Sequence, residues 1–322
     1  MKNKLFLKRI LVLFFIAILG ISTTSAASSK TSINDACVVI HAGEYPGKAA
    51  KRSYIAGKVP NLDQNKYPLE NNGTELGEYY LNVEICKKVA EYIRKYDSNI
   101  KVVEFYSKDK STDLNAAGRK ALTYEPDLYL SIHHNCTDKK EDNVRGYVCM
   151  TTKGGYAQPS IDVAANIAKH LQSVEDETGL PRWQSGTNGV WKDNTYVGEI
   201  NVTTKYCPSV LLETAFFNNL DDLKIVTDED KIDIIASAVA KSIVGDFHNG
   251  KFDNDQSGET KQNMIKHGTG VQDSDTVDDD KLNRPKGKET NKKSKIEDIK
   301  SRVNGDNTVT SGKEKINEIK NR

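Results

Sequence analysis

The sequence predicts an α/β domain with a largely parallel or mixed sheet. Two observations carry that reading. Short β-branched runs alternate along the chain with longer stretches of helical period. Three of those runs end in polar residues, His41 with Glu44, His133, and Glu213. Open α/β sheets gather ligands at the carboxyl ends of their strands. Composition sets the bounds. The chain has 322 residues, 37% of them hydrophobic and 28% charged, with a net charge of +1. One core of about 200 residues with polar appendages fits these values better than two cores. Near-zero net charge excludes a general nucleic-acid binder.

The chain opens with Lys and Arg around Leu5 to Arg9, then Ile10 to Ile21, almost wholly apolar, then small residues to Ala27. That is the pattern of a signal peptide over residues 1–27, with an uncleaved anchor as the alternative. The remainder is then extracytoplasmic. A folded domain is expected over 34–249. Cys37-Val-Val-Ile40 reads as its first strand, and Lys48 to Asn72 as a loop region. Glu78 to Tyr96 is the clearest helix, with Leu81, Ile85, Val89 and Ile93 forming one apolar stripe. Ile100 to Tyr106 is a second strand, Thr112 to Leu122 a short helix, and Leu128 to Ile132 a buried strand ending in His133-His134-Asn135.

Gly146 to Thr152 is another strand. Ser160 to Val174 is amphipathic, with Ser160 as N-cap. Leu180 to Thr203 holds Trp183 and Trp191 among Gly and Asn and reads as a loop. Pro208 to Thr214 is a strand carrying Glu213, Asn218 opens a helix, and Ile232 to Val244 closes the core. The five cysteines are odd in number and widely spaced. Most of them read as small buried side chains. Residues 250–322 change character. An acidic run, Asp273 to Asp280, precedes a basic one, Lys281 to Lys295, and aromatics are scarce. This reads as a disordered charged tail. Its two similar segments, Lys293 to Arg302 and Lys313 to Arg322, are short basic helices or a solvated spacer.

A lone histidine at a strand end is more often a satisfied polar residue than a ligand. Here it stands with other donors. Catalytic zinc needs three protein ligands, an open position for water and a base beside that water. His133 offers an imidazole, Glu78 a carboxylate on the first turn of the long helix, and Glu213 a base whose burial would raise its pKa.

Several stretches then resemble the zinc-dependent N-acetylmuramoyl-L-alanine amidases of the amidase-3 family. They are Val38 to Glu44, Glu78 to Ile85, Leu114 with Arg119, Asp127 to Asn135, Gly146 to Val148, and Pro208 to Asp222. They follow the family's order from about Cys37 to Phe247. The resemblance implies a six-stranded mixed sheet flanked by helices. It implies hydrolysis of the amide between N-acetylmuramic acid and L-alanine in peptidoglycan. Zn2+ is the implied cofactor, with Glu78 and His133 as ligands and Glu213 as catalytic residue. It makes peptidoglycan the partner and the cell wall the location. The tail lies outside the resemblance; its basic segments alone suggest contact with anionic wall polymer or a membrane surface, against the plainer reading as a solvated spacer.

One segment departs from the family. The pattern Asp-x-Gly-His, whose His binds zinc, reads His41-Ala-Gly-Glu44 here. Three outcomes follow: Glu44 replaces the ligand, His41 swings to the metal, or the site is weakened. Glu44, Glu78 and His133 is the ligand set adopted. The alternative function is a catalytically impaired homologue that binds or regulates at the wall.

Overall fold

The fold was examined in a computed structural model that describes residues 36–46, 52–107, 113–194, 197–252 and 258–268. These all fall within one compact unit, Met1–Val277. The leader 1–27 and the tail beyond Gly268 lie outside the described residues.

The chain begins with β1 (Cys37–Ala42), then β2 (Arg52–Ser53), β3 (Leu69–Glu70) and β4 (Glu75–Gly77). β4 runs directly into α1 (Glu78–Tyr96). There follow β5 (Lys101–Tyr106), α2 (Leu114–Leu122), β6 (Leu128–Asn135) and β7 (Val148–Met150). Next come α3 (Ala157–Gln172), α4 (Glu175–Thr178), β8 (Val190–Trp191) and α5 (Gly198–Thr203). β9 (Ser209–Phe216), α6 (Leu220–Thr227), α7 (Glu229–His248) and α8 (Gly258–Gly268) complete it. The main sheet is six-stranded and mixed, in the order β5-β1-β6-β9-β7-β8. β5, β1, β6 and β9 are mutually parallel, and β7 runs antiparallel to β9. The expected α/β class and six-stranded mixed sheet are therefore found.

Both faces of the sheet are covered, so its central strands are buried along their length. Val38, Ile40, Ile132 and Leu212 face one apolar cluster with residues of α1, α3 and α7. Val39, Tyr129 and Leu211 face the other, with Ala117 and Ala121 of α2, Ile200 of α5 and Met264 of α8. Cys37, Cys86, Cys149 and Cys207 are buried, in keeping with the reading as small apolar side chains. No described helix is long and apolar enough to cross a membrane.

Three local features differ from the sequence reading. Residues expected to be loop form a small antiparallel sheet, β2-β4-β3. Its strands are two or three residues long, too short to show a period. Ser160 lies inside α3 instead of capping it. Pro159 is accepted in that helix's first turn, where no N–H is needed. The Ser160 hydroxyl instead accepts the Ser209 N–H at 2.9 Å and donates to the Tyr156 carbonyl at 2.7 Å. The helix opened by Asn218-Asn219 is capped by an asparagine, Asn219, which accepts from the N–H groups of Asp221 and Asp222. Finally, α8 lies within the stretch assigned to the tail. Met264 is fully buried on the α2 and α5 side, and the His267 ring lies 5.2 Å from that of Tyr206.

Asp222 ties the end of β9 to the approach of β7. Its carboxylate accepts from the N–H groups of Gly146 (2.6 Å) and Phe216 (3.0 Å) and from Arg145 Nε (2.9 Å). It is fully buried. Asp222→Ala strands all of these donors and is expected to cost about 3 kcal/mol in denaturant unfolding, since each unmet buried partner carries its own desolvation penalty. A loss below about 1 kcal/mol would show that the clasp does not hold the strands.

Candidate metal centre

The parallel run of β1, β6 and β9 sets the site, because all three end at one edge. Register pairs His41 with Ser131 across β1 and β6, and His133 with Glu213 across β6 and β9. A register irregularity between His133 and Asn135 marks the point where β6 leaves the ladder. Along β6, Ile132 and His134 alternate with Ser131 and His133, so the two histidines leave the strand on opposite faces. His134 Nδ1 lies 2.8 Å from Asn82 Oδ1 on α1. Burial pushes the His134 pKa down to about 3, which keeps the ring neutral.

Glu78 is the first residue of α1 and is fully buried. Its Oε1 accepts from the His134 N–H at 3.0 Å and from Asn82 Nδ2 at 3.2 Å. Asn82, one helical turn on, also donates to the Gly43 carbonyl at 2.9 Å. The Gly43 N–H in turn bonds the Ile132 carbonyl at 2.9 Å. α1, the end of β1 and the end of β6 are thus stitched around one carboxylate oxygen.

Glu44 follows at φ 66°, in the left-handed region. A non-glycine residue held there costs of order 1–3 kcal/mol, and such strain clusters at functional sites. The turn brings the Glu44 carboxylate to Glu78 and His133. One ligand atom from each of the three lies within 4.8 Å of the others. His133 Nδ1 is 3.1 Å from Glu78 Oε1. Ligands about 2.1 Å from a tetrahedral ion sit about 3.4 Å apart, so this pair, at hydrogen-bond distance without an ion, needs only a few tenths of an ångström of opening to share one. The donor set, two carboxylates and an imidazole, fits zinc. The expected residues Glu44, Glu78 and His133 are brought together, and Glu213 stands on the strand beside His133.

His41 is not in that group. It is fully buried, packed 5.0 Å from the Phe105 ring, with Nδ1 at 2.9 Å from the Tyr129 hydroxyl. Burial lowers its pKa to about 4. His41 shares the second face of the sheet with Ser131 and His133, but its Nδ1 is turned to the Tyr129 hydroxyl and, at 3.4 Å, to Ser131 Oγ, and it is not one of the three grouped donors.

A residue outside the sequence expectation, Glu199, joins the site. It is fully buried on α5, inside the stretch read as an aromatic loop. Its Oε1 lies 2.8 Å from His133 Nε2 and accepts from Ser131 Oγ at 3.0 Å. Burial alone would lower the His133 pKa. The hydrogen bonds and charges of Glu199 and Glu78 outweigh it and hold the ring well above the ordinary value. Glu199 itself lies below the usual carboxylate range. Burial opposes this, and the His133 hydrogen bond and charge prevail. The local sequence carried a weak signal for α5: Val197 and Ile200 both turn to the core beside Gly198-Glu199.

The sequence matches the N-acetylmuramoyl-L-alanine amidase family over residues 63–244, more than half of the chain. The chain belongs to that family. The match takes in Glu78, His133, Glu199 and Glu213 and begins after Glu44. Among solved structures the chain is similar to the catalytic domain of CwlV, an N-acetylmuramoyl-L-alanine amidase from Bacillus (Paenibacillus) polymyxa var. colistinus. Identity is 20%, coverage 65% of this chain and 97% of that one, and TM-score 0.48. It is similar also to Ami1 from Mycobacterium smegmatis (16% identity, 68% and 100% coverage, TM-score 0.48). A third is the CwlD amidase from Clostridioides difficile, solved with the GerS lipoprotein (19% identity, 66% and 98% coverage, TM-score 0.48). No curated protein matches the chain.

The Gly43 backbone lies against the His133 ring. A Cβ at Gly43 would sit 2.1 Å from His133 Cε1 and Nε2. Gly43→Ala must therefore displace the ring. The expected result is a folded protein whose zinc binding, followed by titration calorimetry, is weakened at least tenfold. Unchanged affinity would show that His133 can move without consequence.

Proposed function

We propose that this protein is an exported peptidoglycan hydrolase that cuts the amide between N-acetylmuramic acid and L-alanine. Glu44, Glu78 and His133 would hold Zn2+, and Glu213 would be the general base. The observation that carries the reading is the convergence of those three donor side chains at the edge where β9 delivers Glu213. Charge supports it. Glu78 and Glu199 are buried on the two nitrogens of one imidazole, and Glu213 is buried on the adjacent strand. Buried carboxylates in excess of cations are costly, and a divalent ion offsets them.

When bound, zinc acidifies a water and polarises the carbonyl to be attacked. The remaining work falls to the chain. Glu213 accepts the proton of the attacking water and passes it to the leaving amine. Hydrogen bonds from the Asn82 side-chain amide and the His134 backbone N–H hold Glu78 in one orientation, so no reorganisation is needed there. The wall is the proposed location, reached through the leader 1–27. The charged tail beyond Gly268 is proposed to contact anionic wall polymer or a membrane surface.

One observation favours a second reading, an impaired homologue that binds at the wall without turnover. Glu44, where the family carries His, replaces a neutral donor with an anionic one.

The test is zinc stoichiometry of the purified full chain by elemental analysis, beside release of peptide from muropeptides. About one zinc per chain with turnover is expected. Removal of the metal by a chelator should abolish turnover, and added zinc should restore it. Glu213→Ala should lose turnover by at least a hundredfold and still hold zinc. A zinc-free native chain that gains the metal only as Glu44→His would replace the enzyme reading with the second one.

A further inference from the structure

The geometry points to Glu199 as a positioning residue that fixes His133 as a metal ligand, holding Nε2–H so that Nδ1 is presented toward Glu44 and Glu78. The inference rests on the proposed metal site and extends it to a residue outside the expected ligand set. Two distances separate the roles of the ring nitrogens. Nε2 is 2.8 Å from Glu199 Oε1, the length of a charge-assisted hydrogen bond and too short for two ligands of one ion. Nδ1 is 3.1 Å from Glu78 Oε1, close to the spacing of neighbouring ligands. Glu199 therefore stands behind the imidazole and Glu78 stands beside it.

Glu199 is itself held. Ser131 Oγ donates to the same oxygen at 3.0 Å. Gly118 of α2 lets the α5 backbone approach, since a Cβ there would meet the Glu199 carbonyl oxygen at 2.7 Å. Glu199 Oε2 is buried and has no hydrogen-bond partner, so Oε1 alone makes the polar contacts of the side chain, to His133 and to Ser131. A carboxylate that accepts the second N–H of a ligating histidine fixes the ring's tautomer and orientation and raises its basicity. Loss of such a partner typically weakens metal binding about 10- to 100-fold.

The experiment measures zinc affinity of the full chain by competition with a chromophoric chelator, for the native protein, Glu199→Ala and Glu199→Gln. Thermal melts of the zinc-free proteins run alongside. Glu199→Ala is expected to bind zinc about 10- to 100-fold more weakly. Glu199→Gln, which keeps the acceptor and loses the charge, should fall between the two. In saturating zinc, turnover of both variants should recover in large part, which damage to the fold would not allow. Equal affinity in all three proteins overturns the inference and leaves the metal site standing. A native protein that binds no zinc overturns the metal site, and the inference with it. If Glu199→Ala does not fold, native-like affinity in Glu199→Gln would overturn the role of the charge, and weakened affinity would support it.

Discussion

One fully buried imidazole lies between two fully buried carboxylates, and the rest of the site is arranged around that contact. Charges removed from water are tolerated only when paired and hydrogen-bonded. His133 meets that condition on both ring nitrogens. Each partner comes from a different layer of the fold: Glu78 from α1 on one face of the sheet, Glu199 from α5 on the other. The strand β6 between them carries the histidine. The site thus joins both helical layers, and movement of either layer would be felt at the same ring.

Close backbone approach makes the arrangement possible. Gly43 has no side chain where the His133 ring lies, and Gly118 has none where α5 crosses α2. Between them the chain turns through the left-handed Glu44. Strain at a glutamate in that conformation persists only where surroundings impose it. The Gly43 hydrogen bonds to Ile132 and Asn82, just before it, supply the constraint.

Much of this was legible in the sequence, and what was not has a physical reason. The long helix and the longer strands of the main sheet announced themselves through local periodicity, a property of the residues alone. The donors Glu78, His133 and Glu213 could be found because Glu78 begins the periodic helix and His133 and Glu213 directly follow the apolar runs of their strands. Glu199 could not. It sits on a six-residue helix whose place depends on tertiary contact with α2, and nothing in its neighbours encodes the 2.8 Å approach to a histidine 66 residues away. The same holds for Ser160, whose hydroxyl serves the start of β9 instead of its own helix end. The burial of Met264 is likewise invisible locally, because the residues around it are polar and charged.

Glu44 and Glu199 act on the proposed metal in the same sense. An anionic ligand in place of a neutral one lowers the net positive charge at the ion. A carboxylate behind a ligating imidazole makes that imidazole a stronger donor. Both changes bind a cation more firmly, and both leave it a weaker acid toward water. An enzyme built this way gains metal retention and relies more on its base. Glu213 is suited to that load. It is almost fully buried and stands in register with His133 on the neighbouring strand. On the proposed assignment, the work shifted from the metal would fall to Glu213, the carboxylate proposed as base.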